Sequence, residues 1–376
     1  MKYYIIAGEA SGDLHGSNLM KALYQEDKEA EIRFWGGDLM QKEGGILVKH
    51  YLDLAFMGFS EVAMNLKTIL NNIRFCKEDI LQFKPDVIVF IDYPGFNMRI
   101  AKWAKKLGFR THYYIAPQIW AWKENRIKSI KRDLDKLFII LPFEKDFFEV
   151  KHHFKVDFVG HPLIDAIHNR EKTSEVDFKK EYNLDARPII AILPGSRKQE
   201  IAKMLQVMLS IVDDFSNYQF VIAGAPSQEY SFYEPFLSNK NVQFISNKTY
   251  DLLSFAKAAL VTSGTATLET ALFKVPEVVC YKGSWASYQI AKRIITLKYI
   301  SLVNLIMDEE VVVELIQDQL TTKNLKRELS KLLEENNRTK ILEKYSELEV
   351  KLGGVGASSK TAKLIVEDTK QYLKNK

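Results

Sequence analysis

Short, unbroken apolar runs constrain the fold of this chain more than any other feature of its sequence. Val87–Ile91 is wholly apolar, follows Pro85 and Asp86, and ends at a polar turn. A continuous run of this length is typical of a strand buried on both faces of a parallel sheet. Parallel strands need crossover connections, which are usually helices. The chain is therefore expected to alternate strands with helices.

That alternation occurs in both halves of the sequence. Further strands are predicted at residues 3–8, 32–35, 110–116, 138–141, 154–159, 188–193, 220–224, 259–262 and 277–281. The polar stretch 169–185 reads as a linker with one short helix, after which the pattern restarts. We predict an α/β protein with two doubly wound, Rossmann-like domains, residues 1–168 and 169–354. A final helix near Ala357, within about 355–376, is expected to cross back to the first domain.

Composition limits the class of function. The chain has 376 residues, 47% hydrophobic and 27% charged, as expected of a folded protein, and its net charge of +5 is too mild to argue for nucleic acid. Cys76 and Cys280 offer neither a disulfide framework nor metal-ligand spacing, which favours a reducing cytoplasm. Because no apolar run approaches the length of a membrane span, any membrane contact is expected to be peripheral.

Two small-residue turns in the second half are candidate phosphate sites. Ser263, Gly264 and Thr265 separate a predicted strand from a helix, and a helix start favours an anion. The alternative is an ordinary helix start capped by Thr265 or Thr267. A second turn, Gly195-Ser196-Arg197, adds a planar cation suited to phosphate oxygens. Glu269, about one turn into its helix, could accept hydrogen bonds from two ribose hydroxyls.

In the first half, a carboxylate follows the central strand. Ligands of open α/β sheets bind beyond the carboxyl ends of strands, where Asp92 lies, whereas Asp86 lies at the opposite end. Position therefore favours Asp92 as a catalytic carboxylate; the alternative is that Asp92 caps the helix starting near Phe96. The turn Gly8–Asp13 lacks the glycine spacing of a dinucleotide site, which disfavours an NAD-dependent oxidoreductase. Its Asp13 or Ser11 is expected to cap the following helix.

A pair of tryptophans precedes a basic segment. Trp120 and Trp122 are followed by five cations, which fits an anionic membrane surface; the alternative is a solvated helix face beside a core aromatic pair. The cations are Lys123, Arg126, Lys128, Lys131 and Arg132. Met57 and Phe59 are further candidates for contact with acyl chains. His161, alone in the turn Gly160–Leu163, is expected to be structural, with ligand contact as the alternative.

Six motifs together resemble the bacterial lipid-A-disaccharide synthase family. They occur in the family's order and cover the chain from residue 8 to about 305: Gly8-Glu9-Ala10-Ser11-Gly12-Asp13, Ile91-Asp92-Tyr93-Pro94-Gly95-Phe96-Asn97, Ile119-Trp120-Ala121-Trp122, Gly160-His161-Pro162-Leu163, Leu193-Pro194-Gly195-Ser196-Arg197 and Ser263-Gly264-Thr265-Ala266-Thr267-Leu268-Glu269. Each motif alone is weak, whereas six in order are specific.

The resemblance implies an inverting glycosyltransferase of the GT-B architecture, with two Rossmann-like domains facing each other. The implied donor is UDP-2,3-diacylglucosamine, bound by the second domain. The implied acceptor is 2,3-diacylglucosamine 1-phosphate (lipid X), bound by the first, membrane-facing domain. The implied location is the cytoplasmic face of the inner membrane, as a peripheral protein. A homodimer is a further expectation, and no cofactor or metal is expected.

The family's residue roles transfer only in part. The resemblance places an essential arginine at Arg197 and an essential aspartate at Asp86, which conflicts with the positional argument for Asp92. Both aspartates stay candidates, with Asp92 first. Asn304, in a candidate loop or short segment over the ligand, matches an asparagine near the donor. Glu9 and Ser11 are expected on the acceptor side.

Two other functions remain open from the sequence. A UDP-sugar epimerase has the same architecture but needs no lipid surface. A non-catalytic, membrane-bound UDP-sugar-binding protein would bind UDP without releasing it from a UDP-sugar.

Overall fold

The structure, a computed structural model, describes residues 1–54, 66–226, 228–238, 240–283 and 298–376. Its contacts separate two compact units. The first unit comprises Met1–Asn169 with Leu352–Lys376, and the second unit comprises Arg170–Lys351.

Within its described residues, the first unit contains a seven-stranded parallel sheet in the order β3-β2-β1-β4-β5-β6-β7. The strands are β1 Lys2–Ala7, β2 Glu31–Gly36, β3 Ile46–His50, β4 Val87–Ile91, β5 Arg110–Tyr114, β6 Lys136–Ile139 and β7 Asp157–Phe158. Its α-helices are Ala10–Glu26, Asp38–Lys42, Leu66–Phe83, Pro94–Lys106, Ile127–Asp133, Pro162–Asn169 and Ala357–Lys374. Short 3₁₀ turns cover Tyr51–Leu54 and Glu124–Arg126, and a π-helical turn covers Asp146–Lys151.

The described part of the second unit contains a six-stranded parallel sheet in the order β10-β9-β8-β11-β12-β13. Its strands are β8 Ile189–Leu193, β9 Gln219–Gly224, β10 Val242–Ser246, β11 Ala256–Thr262, β12 Glu277–Tyr281 and β13 Val313–Ile316. The α-helices are Glu175–Glu181, Lys198–Met208, Tyr230–Leu237, Thr249–Phe255, Thr265–Leu272, Leu302–Met307, Thr322–Leu333 and Glu335–Lys351, with 3₁₀ turns at Leu209–Phe215 and Gln317–Gln319.

Burial explains why the central strands are continuously apolar. All five residues of β4 and of β8 are buried, because helices cover both faces of each sheet. The strand order matches the doubly wound pattern. In each sheet, successive strands are first added on one side of the first strand, and from the fourth strand onward they are added on its other side. The predicted α/β class with Rossmann-like sheets is therefore confirmed. The C-terminal helix Ala357–Lys374 packs against the first helix, Ala10–Glu26.

The structure differs from the predicted elements at several places. Strands β3, β10 and β13 were not predicted, because their residues are mostly half-exposed and their apolar pattern is weak. Residues 301–305, predicted as a loop or short segment, begin the helix Leu302–Met307, and the Ser301 side chain caps it by accepting from the Asn304 amide. Among the described helices, none is long and apolar enough to span a membrane.

Candidate active site

The two candidate phosphate turns lie side by side in the second unit. Strands β8 and β11 are parallel neighbours, and Leu193 pairs with Val261 near their carboxyl ends. The chain leaves β8 through Gly195 to Arg197 and leaves β11 through Ser263 and Gly264. Adjacent parallel strands thus deliver both turns to one edge of the sheet, where doubly wound proteins bind ligands.

Both turns lead into helices without a side-chain cap. The helix Lys198–Met208 has Arg197 as its N-cap residue, and the helix Thr265–Leu272 has Gly264. Gly264 has a φ of +141°, and a Cβ there would meet no atom of the described residues within 4 Å, so these residues leave the space beside the turn open. The alternative that Thr265 or Thr267 caps the helix is wrong, because Thr267 Oγ1 instead donates to the Gly264 carbonyl at 2.8 Å. The first amides of the helix are left for an anion.

Arg197 provides a cation beside these amides. Its side chain is exposed, and within the described part of the chain no hydrogen bond or ion pair holds its guanidinium. Ser196 and Thr265 are exposed in the same turns. A guanidinium with backbone amides is an arrangement suited to a diphosphate.

Ser263 and Asn304 form internal contacts rather than presenting free polar groups. Ser263 Oγ donates to the carbonyl of Ile300 at 3.0 Å. Asn304 is fully buried: its amide nitrogen donates to Val312 and Glu314, and its oxygen accepts from two backbone amides. The expected direct contact between Asn304 and a nucleotide is therefore not supported, because its hydrogen bonds are used in ordering its own segment.

Glu269 is half-buried on the helix Thr265–Leu272, about one turn from its start. Tyr250 Oη donates to Glu269 Oε1 at 2.8 Å. Burial raises the pKa of Glu269, and the hydrogen bond from Tyr250 partly opposes that increase. Because a sequence pattern does not show pairing across 19 residues, the contribution of Tyr250 was missed.

In the first unit, Asp92 lies at the carboxyl end of β4 in a strained turn. Asp92 and Tyr93 both have left-handed backbones, with φ of +44° and +48°. The following helix begins at Pro94 with Tyr93 as its N-cap residue, so Asp92 does not cap it. Asn97 Nδ2 and Tyr113 Oη both donate to the Asp92 carbonyl, at 2.8 and 2.5 Å. The protein thus holds Asp92 and Tyr93 in an unusual turn through the Asp92 backbone carbonyl.

The electrostatic surroundings of Asp92 suit a general base. Its pKa is raised to about 6, first by burial and second by the negative charge of Glu9, while a hydrogen bond from the Tyr93 backbone opposes the increase. Gly8 leaves room for the Tyr93 ring beside this turn, because a Cβ at position 8 would fall 2.2 Å from that ring. A carboxylate with a pKa near neutrality can both accept and release a proton.

Glu9 and Ser11 lie at the start of the first helix, and both are exposed. The pKa of Glu9 is raised because neighbouring atoms partly desolvate its carboxyl group, although the residue reaches solvent. The expectation that Ser11 or Asp13 caps this helix is wrong, because Glu9 is its N-cap residue without a side-chain bond. Asp13 instead accepts from the amides of Gly37, Leu39 and Met40 and joins two segments of the unit.

Asp86 has a different environment from Asp92. It precedes β4, and its Oδ2 accepts from the Lys2 backbone amide at 2.7 Å, which ties the amino ends of β1 and β4 together. The Asp86 carboxylate therefore lies at the edge of the sheet opposite Asp92, where it has a structural contact, and both aspartates stay candidates with Asp92 first.

The two tryptophans have separate environments. Trp120 is half-buried, with its Nε1 donating to Glu144 Oε1 at 3.1 Å and its ring edge-on to Phe143. Trp122 is 48% exposed, and Lys123 Nζ lies 4.1 Å from the centroid of its ring. Only Trp122 is thus presented to solvent beside the basic segment. The Met57 and Phe59 candidates lie outside the described residues.

His161 has a structural environment, as expected. It is buried, its backbone amide donates to the Leu352 carbonyl, and its Nδ1 accepts from the Leu163 amide at 3.2 Å. Burial lowers the pKa of His161 to about 3, with a further contribution from His15, so the ring is neutral.

Solved structures with this architecture define the class of the protein. A UDP-GlcNAc 2-epimerase from Neisseria meningitidis, bound to UDP-GlcNAc, matches with a TM-score of 0.66 at 14% identity over 99% of this chain and 100% of its own. The glycotransferase of kitacinnamycin matches with a TM-score of 0.64 at 12% identity over 97% and 98%. The chain therefore has the GT-B fold of glycosyltransferases and sugar-nucleotide epimerases.

Sequence comparison distinguishes between these two groups. The family model described as lipid-A-disaccharide synthetase matches residues 3–368. A lipid-A-disaccharide synthase from Syntrophus aciditrophicus is 38% identical over 95% of both chains, and one from Coxiella burnetii is 37% identical over 96% of both. The chain belongs to the lipid-A-disaccharide synthase family and is a glycosyltransferase of lipid A biosynthesis.

Proposed function

We propose that this protein transfers 2,3-diacylglucosamine from UDP-2,3-diacylglucosamine to 2,3-diacylglucosamine 1-phosphate, or lipid X. The products are the β-1,6-linked disaccharide 1-phosphate and UDP. The observation that carries the proposal is the pair of uncapped small-residue turns at one edge of the second sheet, next to Arg197. Family membership supports a lipid-A-disaccharide synthase reaction, and the turns are suited to the diphosphate of its donor.

The second unit would hold the donor. Amides near Ser196, Gly264 and Thr265 would bind the diphosphate together with Arg197, and Glu269 would accept from the ribose hydroxyls. Gly195 and Ser263 would shape the two turns. As the sugar leaves, negative charge grows on the diphosphate, and dipoles already oriented toward it stabilise that charge without rearranging.

The first unit would supply the base. In an inverting transfer, the acceptor's 6-hydroxyl oxygen forms a bond to the anomeric carbon while the bond from that carbon to the diphosphate oxygen breaks. The bonding electrons leave with UDP, and the hydroxyl proton passes to Asp92. The raised pKa of Asp92 brings it closer to the range in which proton transfer is effective.

The first unit would also meet the lipid. Glu9 and Ser11 would line the acceptor site, exposed Trp122 and its basic neighbours would contact anionic headgroups, and Trp120 would support the aromatic segment. Together with the family resemblance, this surface leads us to propose a peripheral position on the cytoplasmic face of the inner membrane. Met57 and Phe59 remain candidates for acyl-chain contact, and a homodimer remains an expectation.

Mass spectrometry of the products tests the proposal. The purified protein is incubated with UDP-2,3-diacylglucosamine and 2,3-diacylglucosamine 1-phosphate in mixed micelles. The expected products are a tetraacylated disaccharide 1-phosphate and one equivalent of UDP, and NMR of the new linkage is expected to show the β anomer. Recovery of an epimerised UDP-sugar would instead support an epimerase, and UDP-sugar binding without turnover would support a binding protein.

A further inference from the structure

A hydrogen-bonded pair in the second unit links the helices on either side of β11. Tyr250 belongs to the helix Thr249–Phe255 before that strand, and Glu269 belongs to the helix Thr265–Leu272 after it. The Tyr250 hydroxyl donates to Glu269 Oε1 at 2.8 Å. In the described part of the unit, no protein group hydrogen-bonds Glu269 Oε2. One carboxylate oxygen is therefore fixed, and the other is left for a ligand.

Tyr250 is held in place by packing of its ring. The ring lies 5.2 Å from that of Phe273, centroid to centroid. The Arg170 guanidinium lies 5.1 Å from the Phe273 centroid, and it donates to Asp251 Oδ1 at 3.2 Å and Ser254 Oγ at 2.5 Å. These contacts limit the motion of the Tyr250 hydroxyl, so its hydrogen bond defines the orientation of the carboxylate.

The same hydrogen bond affects the charge of Glu269. Burial raises the pKa of Glu269, and Tyr250 lowers it. Tyr250 itself stays protonated, because burial and the nearby Glu269 charge raise its pKa, with Arg170 opposing. An ionised carboxylate accepts hydrogen bonds more strongly than a neutral carboxyl group.

We infer that Tyr250 is a positioning residue that orients Glu269 to receive the two ribose hydroxyls of the donor nucleotide. This inference rests on the proposed function, because it takes the nucleotide to bind at the β8 and β11 turns. It assigns to Tyr250 a contribution to ribose recognition without contact with the substrate.

Calorimetric titration of the full chain with UDP and with 2′-deoxy-UDP tests this inference. The variants are Tyr250→Phe, Glu269→Gln and the double variant. Tyr218→Phe serves as the control, because it removes a hydroxyl from another aromatic pair of the same unit. Tyr250→Phe keeps the ring, so the packing on Phe273 is retained, and thermal unfolding checks that each variant is folded.

The expected result has three parts. Tyr250→Phe weakens UDP binding about 3- to 10-fold, as expected for the loss of one hydrogen bond, and reduces the preference for UDP over 2′-deoxy-UDP. It also moves the loss of UDP affinity at acidic pH to a higher pH, since the pKa of Glu269 increases without the hydroxyl. In the Glu269→Gln background, the same change has no further effect, and Tyr218→Phe behaves as wild type.

The outcomes separate the two claims. If Glu269→Gln lowers discrimination between the nucleotides but Tyr250→Phe changes neither affinity nor pH dependence, the positioning role is overturned and the donor site stands. A double variant whose loss of UDP affinity equals the sum of the two single-variant losses also overturns it. If the wild-type protein does not bind UDP, the proposed function and this inference both fail.

Discussion

At the residue scale, the chemistry proposed for the first unit depends on one strained turn. Asp92 and Tyr93 adopt left-handed backbones, and Asn97 and Tyr113 secure them through the Asp92 carbonyl. Strain of this kind persists only where neighbouring groups enforce it, and it concentrates at functional sites. Asp92 is therefore the residue whose replacement is most informative.

Replacing Asp92 with Asn removes the proposed base and keeps the shape of the side chain. We expect kcat to fall by about 10²–10⁴-fold, with UDP affinity unchanged because the proposed nucleotide site lies in the other unit. Steady-state kinetics and calorimetric titration measure the two effects. Asp86→Asn is the matched control: it is expected to lower stability through loss of the Lys2 contact while the folded enzyme keeps its turnover. An active Asp92→Asn beside an inactive but folded Asp86→Asn would reverse the assignment.

Glu9 provides a test through pH. The pKa of Asp92 is raised to about 6, and Glu9 contributes to this increase, so kcat/KM is expected to fall as pH drops below about 6 and the base becomes protonated. Glu9→Gln removes a negative charge and should move this acidic limb to lower pH. Glu26→Gln, an exposed change at the other end of the same helix, should leave the limb in place. An unmoved limb in Glu9→Gln would show that the two carboxylates are not coupled.

The position of Asp92 could be predicted from sequence, whereas its supports could not. A polar residue directly after a buried strand is local information. The bonds from Tyr113 to Asp92 and from Trp120 to Glu144 span 21 and 24 residues, and nothing in the local pattern pairs such residues. Asn304 shows the opposite case. Its match to a family position predicted contact with the donor, but in the structure its side-chain hydrogen bonds are made within its own segment.

At the element scale, the strands and the turns that follow them were the most predictable features. Buried parallel strands have a composition of their own, and the helix starts after them follow from glycine and small residues. Edge strands such as β3 and β10 lack that composition, because one side of each faces solvent. The segment around Trp120 is neither a buried strand nor an edge strand. The buried carboxyl group of Glu144 joins it to the backbone at Ile140 and Leu141.

Glu144 gives that segment a pH-dependent stability. It accepts from Trp120 and from the amides of Ile140 and Leu141, yet burial outweighs these bonds and raises its pKa to about 7. The stabilising contribution of the protonated Glu144 is therefore complete below the unfolded pKa of about 4.5. It is lost as pH rises through about 7, which lowers the free energy of unfolding by at most about 3 kcal/mol.

Thermal unfolding across this pH range should show the difference between Glu144→Gln and the wild type. The variant cannot ionise, so its stability should decline less as pH rises. Asp146→Asn, an exposed change two residues away, should follow the wild type. Parallel pH profiles for Glu144→Gln and the wild type would mean that Glu144 does not titrate in this range.

At the scale of the whole molecule, the chain leaves the first unit at Asn169 and rejoins it at Leu352. The C-terminal helix then covers the first helix and β5. Its Asp368 accepts from Arg110 through two nitrogens, at 2.8 and 2.7 Å, and contacts buried His112 Nε2 at 2.7 Å. This ion-pair cluster joins the last element of the chain to the sheet.

Asp368→Asn should destabilise the first unit by about 2 kcal/mol, because the partly buried Arg110 guanidinium loses its counter-charge and the buried His112 ring loses its carboxylate partner. The pKa of Asp368 is held well below its usual range, chiefly by His112 and Arg110 against the effect of burial. Its contribution is therefore present above the unfolded carboxyl pKa and is lost as pH falls. Chemical denaturation at neutral and acidic pH measures this. Glu367→Gln, on the exposed side, should have little effect; equal losses in both variants would refute the anchoring role.

The basic segment after Trp122 is the proposed membrane contact. Lys128 and Lys131 are exposed, so charge reversal of both to Glu should weaken binding to anionic liposomes in a flotation assay. Reversal of Lys323 and Lys340, two exposed lysines of the second unit, changes net charge equally and should leave flotation unchanged. Equal effects of the two double variants would assign binding to overall charge, and no effect of either would remove the proposal.

The second unit is proposed to bind the diphosphate of UDP at the turns after β8 and β11, and the other proposals depend on this site. A crystal structure of the protein with UDP tests this most directly. We predict diphosphate oxygens against the amides near Ser196, Gly264 and Thr265 and against the Arg197 guanidinium, with the ribose on Glu269. A diphosphate bound anywhere else, such as at the Gly8–Asp13 turn of the first unit, would contradict the account.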